Sequence, residues 1–207
     1  MNVFFDSPDN MRGHNISVLR GEYDLPGLNF EPRVIVDLGA CCGAFAVWAR
    51  RRFPSVETIH CYEPNPEAYT YLEKNVIANT YPYGIRAEPG RYALHDGANN
   101  LGEASFHDLG EQRTDGALFV ECLSTEYVPA SDLLKVDTEG CEIEIIRGLV
   151  IARDPVDRPK VVMYEYHRQE DMCALAGALQ CLDYKLYTAR ATRPDRGVMC
   201  WAHKSIL

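Results

Sequence analysis

The sequence predicts an α/β fold in which a mostly parallel sheet is covered by helices on both faces and closes with an antiparallel pair of strands. Short β-branched runs alternate with segments of helical periodicity from residue 33 onward, a pattern typical of parallel sheets whose strands are connected by helices. The last two strand-like segments have no helix between them, so we expect them to pair antiparallel. The 207 residues contain 46% hydrophobic and 25% charged side chains, as globular domains do.

The elements are predicted in chain order within one domain, comprising a cover at residues 1–30 and a core at residues 31–207. Residues 1–30 are rich in Gly, Pro, Asp and Asn, which predicts an irregular cover with at most short strands. Strand patterns occur at residues 34–36, 57–62, 84–94, 103–107, 118–123, 133–136, 160–166, 184–189 and 198–203. Helical patterns occur at residues 44–53, 66–78, 142–149 and 169–181.

Charge and cysteine content exclude several classes of protein. The 30 acidic and 21 basic residues give a net charge of -9, which argues against general nucleic-acid binding. No apolar run approaches the roughly 20 residues that span a bilayer, and the first residues do not resemble a signal peptide. None of the eight cysteines has C-x-x-C spacing, so we expect reduced thiols and a cytoplasmic location rather than a disulfide framework or a zinc site.

Residues 37–45, DLGACCGAF, join the first strand to the first helix. Gly39 and Gly43 lack a Cβ and allow the backbone to turn tightly and to approach a ligand. They are four positions apart, whereas the dinucleotide fingerprint needs glycines two apart. Asp37 suits a positively charged ligand, such as the ammonium and sulfonium of S-adenosylmethionine, better than a pyrophosphate. A plain turn between strand and helix is the alternative.

A second motif, YEPNP, ends the second strand. Glu63 lies 20 residues after Gly43, where an acidic side chain can accept both ribose hydroxyls of an adenosine. Pro64 restricts the backbone after it, and Asn65 is predicted to cap the next helix with Pro66 at its first position. An exposed carboxylate without a ligand is the alternative for Glu63.

A third motif, ALHDG, contains His95 and Asp96 and is predicted to end the third strand, beside the position expected for adenine. Asp96 could accept a hydrogen bond from the adenine amino group, and a simple turn residue is an equal alternative. Tyr23 precedes the first strand, where the cover could close over the methionine end of the cofactor; ordinary packing of this tyrosine is the alternative.

Together these motifs resemble the S-adenosylmethionine-dependent methyltransferases of the FkbM family, within the class I methyltransferase fold. The matching segments are VIVDLGA at 34–40, GAF at 43–45, YEPNP at 62–66, LEKN at 72–75, ALHD at 93–96 and, most specifically, LLKVDTEGCE at 133–142. The predicted cofactor contacts are Tyr23, Asp37, Gly39, Ala40, Cys41, Gly43, Phe45, Glu63, Pro64, Asn65, His95 and Asp96.

The resemblance implies a Rossmann-like, seven-stranded sheet with an antiparallel C-terminal hairpin. It also implies that S-adenosylmethionine is the methyl donor and S-adenosylhomocysteine the product, with transfer to a hydroxyl oxygen of a small molecule, sugar or lipid. The chain departs from the family at Cys41 and Cys42, where an Asn and an aliphatic residue are usual. The acceptor's identity and the oligomeric state, including a homodimer, are left open.

Acidic residues at the ends of two neighbouring strands are the candidates for chemistry, because methyl transfer to a hydroxyl needs an aligned oxygen and a base. Aligning residues 133–139 with residues 161–167 places Asp137 level with Glu165, and Glu139 level with His167. Lys135 shares a face with Asp137 and could keep it ionised.

Three uses of this group compete. In the first, which we predict, Asp137 and Glu139 orient the cofactor's amino group and the acceptor hydroxyl, and His167 is the general base. In the second, Asp137, Glu165 and His167 hold a divalent metal such as Mg²⁺; no metal is predicted. In the third, the charges form a structural ion network and His167 caps a helix.

The predicted function is therefore S-adenosylmethionine-dependent O-methylation of a small-molecule or glycan-like acceptor. A protein that binds the cofactor without turnover is the first alternative, suggested by the two cysteines. An NAD-dependent oxidoreductase is a weaker one, because the glycine spacing and the closing hairpin disfavour it. The sequence has no stripe of basic residues of the kind that would indicate a nucleic-acid substrate.

Overall fold

The structure is a computed structural model that describes residues 6–8, 11–97, 100–105, 118–166, 169–193 and 196–207. His167, the predicted general base, lies outside the described residues. Among the described helices, none combines the length and the apolar character that a membrane span requires. In chain order the elements are α1 (Arg12–Leu19), β1 (Val34–Leu38), α2 (Ala44–Arg52), β2 (Thr58–Tyr62), α3 (Pro66–Asn75), β3 (Asn79–Tyr81), β4 (Gly84–Arg86), β5 (Gly90–Gly97), β6 (Asn100–Ser105), β7 (Leu118–Ser124), β8 (Leu133–Val136), α4 (Glu142–Ile146), β9 (Val161–Tyr166), α5 (Gln169–Cys181), β10 (Tyr184–Arg193) and β11 (Arg196–His203).

The main sheet has seven strands in the order β10-β11-β9-β8-β1-β2-β3. The five strands from β9 to β3 are parallel, and β11 pairs antiparallel with both β9 and β10. This arrangement confirms the predicted α/β fold with a closing antiparallel pair. The carboxyl ends of β1, β2, β8 and β9 consequently meet at one edge, where ligands bind in open parallel sheets.

Two hydrophobic cores, one on each face of the main sheet, hold the helices in place. Side chains alternate between the faces along a strand: Ile35 and Leu133 pack toward α1, α2 and α3, whereas Val36 and Leu134 pack toward α4 and α5. All four are essentially inaccessible to solvent. The sheet is therefore buried on both faces, as the continuous runs of apolar residues in its central strands predict.

The N-terminal cover contains a helix, α1, that the sequence did not predict. Among the residues whose burial is described, Met11 just before the helix and Asn15 and Val18 within it are buried, so the spacing is helical but one of these three residues is polar. Such a short helix has little stability alone and depends on tertiary packing, here against α2. The prediction of an irregular cover with at most short strands was wrong for this segment.

The third strand of the main sheet is β3, not the segment that ends in ALHDG. The predicted strand at residues 84–94 is interrupted at residues 87–89, and its second part, β5, pairs antiparallel with β6 and β7 in a separate sheet of order β4-β7-β5-β6. His95 and Asp96 thus lie in the second sheet, and their placement at the end of the third strand was wrong. The true third strand has only three residues and begins four residues after the last residue of α3, so its pattern was too short to recognise.

Candidate functional site

Gly39 turns the chain at the end of β1 and packs directly against the end of β8. Its φ is 74°, and an added Cβ would lie 1.8 Å from the backbone oxygen of Asp137, so only glycine fits. Gly43 has a φ of 89°, and its added Cβ would lie 2.5 Å from Cγ1 of Val76. Neighbouring protein atoms therefore occupy the space that a side chain at either position would need. The predicted reason for the two glycines was instead the close approach of a ligand.

Glu63 connects the end of β2 to the glycine turn. Its Oε2 accepts a hydrogen bond from the backbone N–H of Cys41 at 2.8 Å, and its Oε1 accepts one from Asn65 at 2.7 Å. Burial raises the pKa of Glu63 to about 7, although the two backbone donors oppose the rise. Asn65 caps α3 through the N–H groups of Glu67 and Ala68, with Pro at the first position, which confirms the predicted cap.

Lys135 of β8 neutralises the buried carboxylate of Asp37. Its Nζ donates to the backbone oxygen of Gly39 at 2.7 Å and lies 3.1 Å from Oδ1 of Asp37 and 3.6 Å from Oδ2 of Asp137. Burial disfavours the charge on Lys135, but the two carboxylates outweigh this and raise its pKa above the ordinary value. The predicted pairing of Lys135 with Asp137 is confirmed. The positive charge near Asp37, however, belongs to the chain itself and not to a ligand.

Acidic side chains converge at the ends of β8 and β9. The observed register pairs Val136 with Tyr164, so the next step along both strands brings Asp137 beside Glu165, as predicted. Burial raises the pKa of Glu165 to about 9, and the charges of Asp137, Glu139 and Glu22 add to the rise. Glu165 is therefore protonated at neutral pH and can donate a hydrogen bond. Glu22, which precedes β1 in the chain, was not predicted to join this group.

A small pocket lies between α1, the glycine turn and the end of β8. Of the predicted site residues, Tyr23, Gly39, Ala40, Cys41, Phe45 and Asp137 line it, together with the unpredicted Asn15, Val18, Ala44 and Lys135. The lining does not include Asp37, Gly43, Glu63, Pro64 or Asn65. The N-terminal segment therefore forms one wall of the pocket, as the prediction for Tyr23 required.

Tyr23 forms part of the wall of this pocket. The residue is 3% exposed and its ring packs edge-on against Phe45, with centroids 5.0 Å apart. Burial raises the pKa of Tyr23 well above its ordinary value, and the charges of Asp137 and Glu165 add to this effect. The hydroxyl stays protonated, so it can donate a hydrogen bond but cannot act as a base near neutral pH.

Cys41 and Cys42 are adjacent thiols in the turn, with their Sγ atoms 3.8 Å apart. All eight cysteines of the chain are free. The hydrogen bond with Cys42 and burial both raise the pKa of Cys41, so its thiol is protonated and a poor nucleophile. The contribution of Cys41 to the turn is its backbone N–H, which Glu63 accepts.

Metal ligation finds no support in the described part of the chain. No group of three or more His, Cys, Asp or Glu side chains among those residues is arranged to hold a metal ion. Asp137 and Glu165 are two of the three candidates, and the third, His167, is not described. The nearest cation to Asp137 that the structure describes is Lys135.

The strand order, together with the pocket at the carboxyl ends of the parallel strands, shows that the chain has the class I methyltransferase fold. The chain belongs to the FkbM methyltransferase family, because the model of the methyltransferase FkbM domain matches residues 37–184. The FkbM methyltransferase from Methylobacillus flagellatus, a solved structure, aligns with a TM-score of 0.66 at 16% identity, covering 90% of this chain and 48% of that chain. This likeness confirms the fold.

Two relatives are similar in sequence. The methyltransferase sdnD of Sordaria araneosa is 28% identical over 167 residues, covering 61% of this chain and 64% of its own length. The hexuronic acid methyltransferase AglP of Haloferax volcanii is 26% identical over 170 residues, covering 74% of this chain and 65% of its own length. The chain thus spans slightly less than two thirds of the relatives that it matches.

Proposed function

We propose that the protein is an S-adenosylmethionine-dependent methyltransferase that transfers a methyl group to a hydroxyl oxygen of a small-molecule, sugar or lipid acceptor. The observation that carries the proposal is the pocket between the glycine turn and Asp137. It lies at the carboxyl ends of parallel strands, where this class of fold binds its ligands. Membership of the FkbM family supports the same conclusion.

The residues present fit this cofactor. Glu63 sits at the tip of β2, and each of its oxygens accepts one hydrogen bond, which leaves lone pairs for ribose hydroxyls. The lining of the pocket at β8 includes Asn15, whose buried amide has no hydrogen-bond partner among the described residues. Because β2 and β8 flank β1, the ends of these two strands are roughly 10 Å apart, two strand spacings. A ligand with polar groups at both ends can bridge them.

When bound, S-adenosylmethionine supplies a methyl group made electrophilic by the sulfonium. The chain's own contribution is to position an acceptor and to take its proton. Lys135 favours the ionised form of Asp137, and the protonated Glu165 beside it is a hydrogen-bond donor for an acceptor oxygen. Asp137 and Glu139 orient the reacting groups in this proposal, and His167 after β9 accepts the proton.

The acidic surroundings favour an uncharged acceptor. The charges of Asp137, Glu139 and Glu22 raise the pKa of Glu165 at this edge, so an anionic acceptor would enter against the field of these three carboxylates. The relative from Haloferax volcanii is a hexuronic acid methyltransferase, which supports a glycan-like acceptor. We therefore propose a hydroxyl of a neutral sugar or a similar polyol as the methyl acceptor.

The test is transfer of label from methyl-labelled S-adenosylmethionine to a panel of neutral sugars, hydroxylated lipids, polyketide alcohols and a hexuronic acid. The proposal expects an O-methylated product from at least one neutral hydroxyl acceptor and slower transfer to the hexuronic acid. Binding of S-adenosylhomocysteine without transfer to any acceptor would instead favour a protein that binds the cofactor without turnover.

A further inference from the structure

Asn15, on the inner face of α1, has a buried side-chain amide without a hydrogen-bond partner in the described part of the chain. The residue is 2% exposed, and neither Oδ1 nor Nδ2 finds a partner among the described residues. Buried polar groups are nearly always satisfied, and leaving one unsatisfied destabilises the folded chain. The unsatisfied amide of Asn15 therefore points to a bound ligand as its hydrogen-bond partner.

The amide belongs to the lining of the candidate pocket, opposite the glycine turn and Asp137. Other polar groups of this lining are already engaged within the protein. The ammonium of Lys135 donates to the backbone oxygen of Gly39 and faces Asp37, and the N–H of Cys41 donates to Glu63. Asn15 therefore offers the pocket both a donor and an acceptor that the protein does not use.

Contacts on both sides of α1 fix the amide over the pocket. Before the helix, the backbone N–H of Asp6 donates to Oδ1 of Asn75 at 2.9 Å, and Nδ2 of Asn75 donates to the oxygen of Cys42 at 2.9 Å. After it, Nε1 of Trp48 donates to Oδ1 of Asp24 at 3.0 Å. The segment is thus tied to α3, the glycine turn and α2, so Asn15 is held in place before any ligand arrives.

We propose that Asn15 binds the amino-acid end of S-adenosylmethionine, with Nδ2 donating to its carboxylate and Oδ1 accepting from its ammonium. This inference rests on the proposed function. Glu63 marks the ribose side at β2, so the pocket at β8 is left for the opposite end of the cofactor. That end carries both an acceptor and a donor, which matches the two free atoms of an amide. Asp137 in the same lining favours the ammonium.

The experiment is calorimetric titration of the full chain and its Asn15→Leu variant with two ligands, S-adenosylhomocysteine and 5′-methylthioadenosine. The second ligand has the adenosine but lacks the amino acid. We expect the substitution to weaken S-adenosylhomocysteine binding about 10-fold or more and to leave methylthioadenosine binding unchanged. The matched control is Ile16→Ala, on the exposed side of the same helix, which should change neither affinity.

Thermal unfolding without ligand gives a second readout. Leucine has nearly the shape of asparagine and removes the unsatisfied amide, so the ligand-free Asn15→Leu variant should melt at a higher temperature than the wild type. A purely structural asparagine would give a lower one. Should the leucine variant fail to fold, Asn15→Ala provides the same comparison of the two ligands.

The outcomes separate this inference from the proposed function. Equal losses for both ligands, or no loss for either, in a wild type that binds S-adenosylhomocysteine would overturn the role of Asn15 alone. A wild type that binds neither ligand would overturn the proposed function itself.

Discussion

Two glutamates at the same edge of the sheet, the buried Glu63 and the half-buried Glu165, illustrate how different the two halves of the site are. Glu63, at the end of β2, accepts hydrogen bonds from two backbone N–H groups, and its pKa is about 7. Glu165, on β9, lies among other carboxylates, and its pKa is about 9. Burial raises both values, but donors favour charge on the first, whereas neighbouring charges oppose it on the second. The β2 half thus holds the glycine turn, and the β9 half brings several carboxyl groups together.

Lys135 lies between these halves, so removing its charge should produce the largest effect. The substitution Lys135→Met leaves Asp37 buried and unpaired, and we expect a loss of about 3–5 kcal/mol in the free energy of unfolding. Urea denaturation measures this loss. Adding Asp37→Asn to the same variant should recover much of the stability, because the fully buried charge of Asp37 is then removed as well. A loss below about 1 kcal/mol would show that the buried pair does not need its cation.

Substitutions in the β9 half should lower turnover and leave cofactor binding nearly unchanged. We expect His167→Ala to lower the methyl-transfer rate about 100-fold or more, as loss of a general base does, while calorimetry shows nearly unchanged affinity for S-adenosylhomocysteine. Glu57→Gln, an exposed carboxylate at the opposite edge of the sheet, is the control. Equal losses of rate and affinity, or no loss, would remove His167 from the chemistry.

Substitutions in the β2 half should instead lower the stability of the fold and the affinity for the cofactor. In Glu63→Gln one backbone N–H faces an amide donor in place of a carboxylate oxygen, so we expect about 1–3 kcal/mol of destabilisation. Affinity for S-adenosylhomocysteine should fall with it, since the same side chain is proposed to bind the ribose. Denaturation and calorimetry measure the two effects, with the exposed Glu67→Gln as the matched control. Unchanged stability would mean that the two hydrogen bonds at Glu63 do not hold the turn.

The pH dependence of the free energy of unfolding should distinguish Glu165 from Glu63. The folded chain holds a proton on Glu165 up to pH about 9, whereas the unfolded chain releases it near the ordinary value of 4.5. Stability therefore falls as pH rises through this window, by at most about 1.4 kcal/mol per pH unit. Glu63 contributes in the same direction only up to pH about 7.

Denaturation of Glu165→Gln at several pH values tests this assignment. The variant should lose the part of the decline that the wild type shows between pH 7 and 9, and Glu63→Gln should keep it. Identical pH profiles for Glu165→Gln and the wild type would place the pKa of Glu165 near its ordinary value.

The sequence predicted the parts of the fold that repeat a strong local pattern. Helix α5 and strand β8 have the predicted bounds, and the register that brings Asp137 beside Glu165 follows from the ends of two buried strands. The short β3 and the helix α1 were missed, because a three-residue strand and a helix with a polar inward residue depend on packing and not on periodicity.

The site was predicted less completely, because its charges are arranged by contacts between distant segments. The pair formed by Asp37 and Lys135 follows from the pairing of β1 with β8, in which these two residues are direct partners. Aligning those two strands would have revealed it from the sequence. No comparable signal marks Asn15, whose importance depends on its burial against the glycine turn.

Calorimetric titration of the wild-type chain with S-adenosylhomocysteine and, separately, with NAD tests the central claim most directly. The account predicts saturable binding of S-adenosylhomocysteine at one site and no binding of NAD. Binding of NAD alone, or the absence of heat with either compound, would contradict it.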